Sequence, residues 1–256
     1  MKAKKIIMFM VWMLVFVGVV YVVVRAGSVR DKVACGNYTI RIEVDYGADT
    51  ILYPADIEKI MLEHDSIIGK PFNEIDIYML ESILKEHPYI SEVIVFGDAS
   101  ETLHFTVAQR TPIVRIINKL NETFYLDETG KAMPVPERTG TSARLITVSG
   151  NINISREQAF SDTLKNVWDD LLTCVKYINQ DTFLKSQTGQ IYIDKEGSYL
   201  LIPVIGNHII ILGNPENPEI RMERLKILYK QGMDEEKWKT YKTIDLRYKN
   251  QIICKK

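Results

Sequence analysis

The residues best able to do chemistry in this chain, its histidines and cysteines, are few and widely separated. They are His64, His87, His104 and His208, together with Cys35, Cys174 and Cys254. A zinc site requires ligands at short, regular spacing, such as two histidines four residues apart on one helix face. No two histidines have that spacing, and none stands next to a cysteine. The sequence therefore predicts no metal site.

The sequence patterns of the common enzyme classes are missing as well. The chain has no GxSxG, GxxxxGK[ST] or GxGxxG, which position a nucleophilic serine or cradle phosphates. It also has no Asp-x-Asp pair, which membrane-anchored glycosyltransferases commonly use to hold a metal on a sugar diphosphate. We predict no catalytic residue and no cofactor. A membrane-anchored extracytoplasmic enzyme stays open as an alternative.

The composition argues against two further classes of protein, nucleic-acid-binding proteins and disulfide scaffolds. The chain has 32 basic and 33 acidic side chains and a net charge of −1, whereas nucleic-acid binding requires a clustered basic surface. Three cysteines are too few and too far apart for a disulfide scaffold. One pair could form in an oxidising compartment, but we expect all three thiols to be unpaired.

An apolar segment near the N-terminus predicts a membrane anchor for the rest of the chain. Residues 6–24 are an uncharged run of 19, and 13 of them are Leu, Ile, Phe or Val. At about 1.5 Å per residue, a helix of this length crosses a hydrocarbon core of about 30 Å. Lys2, Lys4 and Lys5 precede the run and favour a cytoplasmic N-terminus. The alternative is a cleaved signal peptide, although its apolar core would span only roughly 7–15 residues.

The region after this segment has the pattern of a small α/β domain. Residues 38–44 alternate as in a half-buried strand, Pro54 opens a helix, and a second helix at 75–86 stops before Pro88. Strands at 92–96 and 102–108 follow, joined by a turn from Gly97 to Ser100. The predicted order is β-α-α-β-β.

Beyond Pro112 short strands dominate. A helix is predicted at 156–178 from apolar residues spaced three or four apart. Strands are predicted at 182–186, 190–194, 199–204 and 208–212, and Pro218 begins another helix. The last two strands are predicted at 243–248 and 251–254. The fold class is therefore α+β, with a single N-terminal transmembrane helix and a mostly antiparallel C-terminal β-domain with flanking helices.

Four short motifs, in order along the chain, resemble one known family. The run from Leu80 to Ile90, continued by Val93 and Val95, resembles the second helix and following strand of a POTRA domain. The alternation Leu103, Phe105, Val107 and then Gln109-Arg110-Thr111-Pro112-Ile113 is similar to the end of the POTRA domain in the bacterial cell-division family FtsQ/DivIB, which usually has Glu at the position of Gln109. Tyr125-Leu126-Asp127 with Gly130, and Ile244-Asp245-Leu246-Arg247-Tyr248, resemble two motifs of its β-domain.

The resemblance implies a domain order and a place in the cell. It divides the chain into a cytoplasmic tail (1–5), a transmembrane helix (6–24), a linker (25–37), a POTRA domain (38–111) and an FtsQ-type β-domain (112–256). The protein would then be a single-pass type II protein of the inner membrane, with its bulk in the periplasm at the division septum.

The resemblance also implies partners and a binding site. Family members are non-enzymatic scaffolds that bind the FtsB–FtsL pair and link it to the septal peptidoglycan synthase complex. Their C-terminal strand pairs with a segment of FtsB, and an edge strand offers the unpaired main-chain groups for this pairing. The implied partner-binding residues are Arg247, Tyr248, Asn250, Gln251, Ile252, Ile253 and Cys254. Tyr248 could instead be a tyrosine that packs within the sheet.

One further alternative is a POTRA-bearing export or assembly factor. Such proteins place a transmembrane β-barrel after their POTRA domains. Residues 112–256 are few for a barrel of that kind, and two helices of soluble character lie among their strands.

Overall fold

The computed structural model describes residues 2–30, 34–64, 67–98, 100–136, 145–161, 167–233, 238 and 240–256, with the side chains of the first helix given at 8–23. The chain forms two compact units. Unit 1 consists of Met1–Val44 and Leu52–Gln109, and unit 2 consists of Asp45–Ile51 and Arg110–Lys256. Both combine helices with a β-sheet, so the fold is α+β.

The chain begins with helix α1, Lys2–Arg30. It extends beyond the predicted run at both ends, and its described side chains at 8–23 are exposed. Over the described part of the chain, no helix meets the length and apolarity needed to cross a bilayer.

The rest of unit 1 has the predicted β-α-α-β-β order. Its elements are β1 (Asn37–Glu43), α2 (Pro54–His64), a 3₁₀ turn (Phe72–Glu74), α3 (Ile77–Lys85), β2 (Ile90–Gly97) and β3 (Thr102–Gln109). The sheet order is β1-β3-β2, with β1 parallel and β2 antiparallel to β3. Helix α3 starts two residues later than predicted because Asp76 caps it, its carboxylate accepting from the Met79 N–H at 2.9 Å.

The core of unit 1 lies between the helices and one face of this sheet. Leu103, Phe105 and Val107 on β3 are fully buried, as their alternation predicts. Gln109 ends the same strand and is 4% exposed. Its side-chain oxygen accepts from the Leu52 N–H at 3.0 Å, so this neutral residue still satisfies a buried backbone donor.

Over its described residues, unit 2 contains a nine-stranded sheet and helices α4 to α7. The strands are β4 (Pro112–Ile117), β5 (Thr123–Asp127), β6 (Ala132–Pro134), β7 (Ile146–Gly150), β8 (Thr188–Ile193), β9 (Tyr199–Pro203), β10 (Ile209–Gly213), β11 (Thr243–Asp245) and β12 (Ile253–Lys255). The helices are α4 (Arg156–Phe160), α5 (Asp169–Gln180), α6 (Thr182–Gln187) and α7 (Pro218–Ile227), the last followed by a π-helical turn at Leu228–Gly232.

The sheet order is β12-β11-β10-β9-β8-β7-β4-β5-β6. Strand β7 is parallel to both of its neighbours and β11 is parallel to β10, while the remaining pairs are antiparallel. Helix α5 packs on β4 and α7 packs on β10. Their apolar residues, among them Val175, Ile178 and Met222, are fully buried in the core with strand residues such as Leu212.

Two predicted elements of unit 2 are wrong. The helix at 156–178 is interrupted, because Ser161 has an extended backbone that ends α4; the middle of this prediction, at 162–166, lies outside the described residues. The predicted strand at 182–186 is helix α6. Asp181 caps α6, its Oδ1 accepting from the backbone N–H groups of Phe183 at 2.9 Å and Leu184 at 3.0 Å, and this cap outweighs the strand preference of Thr182 and Phe183.

Candidate partner-binding edge

Among the strands that the structure describes, β12 is the first in the order of the nine-stranded sheet, and β11 is its one neighbour. The pairing is antiparallel, with Thr243 opposite Lys255, Ile244 opposite Cys254 and Asp245 opposite Ile253. The Lys242 N–H also donates to the Lys255 carbonyl at 2.8 Å. Since an edge strand has a second side that no neighbour occupies, an incoming extended segment can add to it through main-chain hydrogen bonds.

The predicted limits of the last two strands are wrong by a few residues. Strand β11 ends at Asp245 and not at Tyr248, while β12 covers Ile253–Lys255 and not 251–254. Residues 246–252, called the connection below, join the two strands. Of the predicted partner-binding residues, only Ile253 and Cys254 lie in β12, and the other five lie in the connection.

Just beyond the end of β11, the side chain of Arg247 folds back onto Asp245, the last residue of the strand. Its Nε donates to Asp245 Oδ1 at 3.0 Å and its Nη2 donates to Asp245 Oδ2 at 2.7 Å. Asp245 is 5% exposed, and these hydrogen bonds lower the pKa of its carboxyl group. Gly213 at the end of β10 leaves room for this pair, because a Cβ there would lie 2.7 Å from Arg247 Cγ.

The connection then turns at Asn250, whose φ of 61° is left-handed and suits asparagine better than most residues. Tyr248 lies in this turn and is 45% exposed. Ile252 and Cys254 pack against the core of unit 2, and burial raises the pKa of the Cys254 thiol. The predicted residues therefore all lie at one edge of the sheet, but Tyr248 is half exposed whereas Ile252 and Cys254 contact the core.

Sequence reasoning missed Arg224, which holds the connection from helix α7. Its Nη1 donates to the carbonyl oxygens of Tyr248 at 2.7 Å and Gln251 at 3.3 Å, and its Nη2 donates to that of Leu246 at 2.9 Å. The only sequence signal is a basic residue in the last turn of a helix, which usually serves the carbonyl groups of its own helix.

A groove lies beside the connection, with a volume of about 400 Å³. Ile227, Leu228 and Ile252 supply apolar groups to its wall, and Asn250 and Gln251 supply polar ones. Ile227 is 47% exposed. The edge therefore offers both main-chain hydrogen bonds and an adjoining surface for side chains.

Among the residues that the structure describes, no three or more histidines, cysteines or acidic residues come together in a group that could hold a metal ion. The most buried histidine, His208, instead has protein partners at both ring nitrogens. Nδ1 lies 3.2 Å from the Trp238 carbonyl oxygen and Nε2 lies 2.5 Å from the Tyr229 hydroxyl. The carbonyl can only accept, so Nδ1 carries the proton and Nε2 accepts from Tyr229. Burial lowers the pKa of His208, which favours the neutral form of the ring.

Comparison with known proteins agrees with this architecture. Residues 33–108 match the family model of the POTRA-like domain, and residues 111–255 match the family model described as FtsQ/DivIB, C-terminal related. No curated protein matches the chain. Because the second family model covers more than half of the 256 residues, the chain belongs to the FtsQ/DivIB family.

Proposed function

We propose that this protein is a non-enzymatic cell-division scaffold that binds the FtsB-type member of an FtsB–FtsL pair by strand addition to β12. Family membership indicates a role in cell division together with other division proteins. The observation that supports the finer proposal is the position of β12 at the end of the nine-stranded sheet.

The size of this edge limits what main-chain pairing can contribute. Strand β12 has three residues, and a net gain of about 0.5–1.5 kcal/mol for each hydrogen bond gives only a few kcal/mol in total. Side chains must therefore supply much of the affinity. Tyr248 is the best anchor at this edge, because exposed tyrosines often dominate the binding energy of an interface.

The same edge has features that suppress indiscriminate pairing. It is short, and Lys255 and Lys256 are exposed. Short edge strands and lysines both disfavour edge-to-edge aggregation. We infer that a partner must match the side chains of the connection as well as the backbone of β12.

The proposal also includes an anchor and a compartment. Residues 6–24 would hold the protein in the inner membrane as a single-pass type II protein, with the POTRA domain (38–111) and the β-domain (112–256) in the periplasm at the septum. In that position a scaffold links the FtsB–FtsL pair to septal wall synthesis. The apolar character of the 19-residue run supports this part.

Binding of the full-length protein to the FtsB–FtsL pair of the same organism tests the proposal. We expect Tyr248→Ala combined with Ile252→Glu to weaken binding at least about tenfold, the loss typical of removing one interface anchor. The matched control is Tyr192→Ala with Ile202→Glu, since these residues are 40% and 36% exposed but lie on β8 and β9, away from the edge.

The control should bind like the unmodified protein. Undiminished binding by the Tyr248/Ile252 variant would remove the C-terminal edge from the proposal. Depletion of the protein in cells tests the broader role: we expect filaments, and normal division would contradict a scaffold function.

A further inference from the structure

The guanidinium group of Arg224 contacts both ends of the connection. It bonds the carbonyl of Leu246 directly after β11, the carbonyl of Tyr248 within the turn, and the carbonyl of Gln251 two residues before β12. One side chain from α7 therefore fixes where the chain leaves the sheet and where it returns.

Strand β12 needs such support because its own attachment is small. Its ladder with β11 comprises three residue pairs, and β11 itself has three residues. Three residue pairs supply only a few main-chain hydrogen bonds, each worth about 0.5–1.5 kcal/mol net. Hydrogen bonds to a charged donor are roughly twice as strong as neutral ones, so three of them are a large share of what holds the edge.

We propose that Arg224 is a positioning residue for the partner-binding edge. It preorganises the connection and β12 so that an incoming strand meets an ordered edge, and it need not touch the partner. Binding to an ordered segment avoids the entropic cost of ordering that segment on association. The role in partner binding rests on the proposed function above, whereas the effect on the order of β12 does not.

A second arginine on the same helix provides a matched control. Arg221 donates from Nη1 to the carbonyl oxygens of Leu212, at 3.3 Å, and Asn214. Arg221 has the same side chain as Arg224 and lies on the same helix, but its hydrogen bonds hold the start of the loop between β10 and α7. Loss of Arg221 tests the general effect of removing an arginine that bonds backbone carbonyls.

The first measurement is amide hydrogen exchange of the full-length protein without partner. We expect Arg224→Met to increase exchange at least about tenfold in β11 and β12, since even one of the three charge-assisted hydrogen bonds lost is worth that factor, and to leave β7 and β8 unchanged. Arg224→Lys keeps a cation with fewer fixed donors, so it should restore part of the protection. Arg221→Met should leave β12 protected.

The second measurement is the affinity of the same variants for the FtsB–FtsL pair. We expect Arg224→Met to weaken binding about tenfold, Arg224→Lys to fall between, and Arg221→Met to stay within about twofold of the unmodified protein. Unchanged β12 exchange in Arg224→Met would overturn the positioning role, and so would unchanged affinity despite faster exchange. An equal effect of Arg221→Met would reduce Arg224 to a general structural role.

The two measurements distinguish failure of the positioning role of Arg224 from failure of the proposed function. If the unmodified protein fails to bind the pair, the proposed function fails, while the exchange data still decide whether Arg224 orders β12.

Discussion

Replacing Arg110 by methionine should destabilise unit 2 strongly, because Arg110 neutralises a buried carboxylate. Arg110 Nη1 lies 2.5 Å from Asp127 Oδ2, and the two side chains are only 10% and 4% exposed. Methionine keeps the unbranched, largely apolar stem of the side chain and removes the charged guanidinium group. The substitution therefore leaves Asp127 as a buried anion without its cation.

The size of the effect follows from the remaining partners of Asp127. Its Oδ1 accepts from the Thr129 N–H at 2.8 Å, the Thr129 hydroxyl at 2.7 Å and the Lys131 N–H at 2.9 Å. These donors stay in Arg110→Met, so the loss falls on Oδ2. Breaking one side of a buried pair costs about 3–5 kcal/mol, and the surviving bonds place this case at the lower end, about 3 kcal/mol.

Urea denaturation of the full-length protein, followed by tryptophan fluorescence, measures this loss. Trp168 and Trp238 both lie in unit 2. The control is Glu223→Gln, which breaks an ion pair with Lys226 near the surface. The Glu223 side chain is 49% exposed, so this loss should cost under about 1 kcal/mol of unfolding free energy.

A double-mutant cycle isolates the ion pair from other contacts of Arg110. Adding Asp127→Asn to Arg110→Met removes the uncompensated charge, so the double variant should lose less than the sum of the single losses by at least about 1 kcal/mol. A single loss below about 1 kcal/mol, or additive losses, would refute the reasoning.

Three further predictions concern His208, Gly150 and the cysteines. The pKa of His208 is lowered in the folded state, so the stability that the neutral ring contributes is complete above the unfolded pKa of about 6.5 and declines below it. The free energy of unfolding should therefore fall from pH 7 to 5.5, by up to about 1 kcal/mol, and His208→Gln should flatten this slope in urea titrations at both pH values. Gly150→Ala should lower thermal stability by about 2 kcal/mol or more, because φ is +109° and the new Cβ would overlap the Ile193 carbonyl oxygen; a loss below about 0.5 kcal/mol would contradict the strain expected at this position. Cys254 is the only thiol that is not fully buried, and burial raises the pKa of Cys174 to about 12, so a thiol reagent should modify one cysteine in the native protein and three after denaturation.

The order of helices and strands in unit 1 can be predicted from the sequence because each signal there is local. Alternation in β1 and β3 gives the strands, and Pro54 and Pro88 mark helix limits. Each signal depends on residues that are neighbours in the chain. The order of elements could therefore be predicted before any tertiary contact was known.

The same reasoning failed where a tertiary contact or a cap decides the outcome. Thr182 and Phe183 are residues that favour strands, but they lie in the first turn of α6 because Asp181 caps that helix. The connection depends on Arg224, which is 22 residues before Leu246 in sequence. No periodicity relates such positions, so the contact that holds the connection could not be predicted from the sequence.

Two residues from different family motifs meet in the structure. Arg110 and Asp127 belong to separate motifs of the family resemblance, and together they form one ion pair. Sequence resemblance indicated both residues without their relation. The ion pair supplies a physical reason for both.

The arrangement around β7 has a consequence for how unit 2 assembles. On one side, β4, β5 and β6 form a meander, and on the other, β8, β9 and β10 form a second one, so each can form from contiguous chain. Strand β7 joins them through two parallel pairings, Val114 with Ile146 and Thr147 with Gln190, and parallel neighbours require long crossovers. Because such closures between distant segments are slow, we expect the insertion of β7 to limit the folding rate of unit 2, with the two meanders forming first.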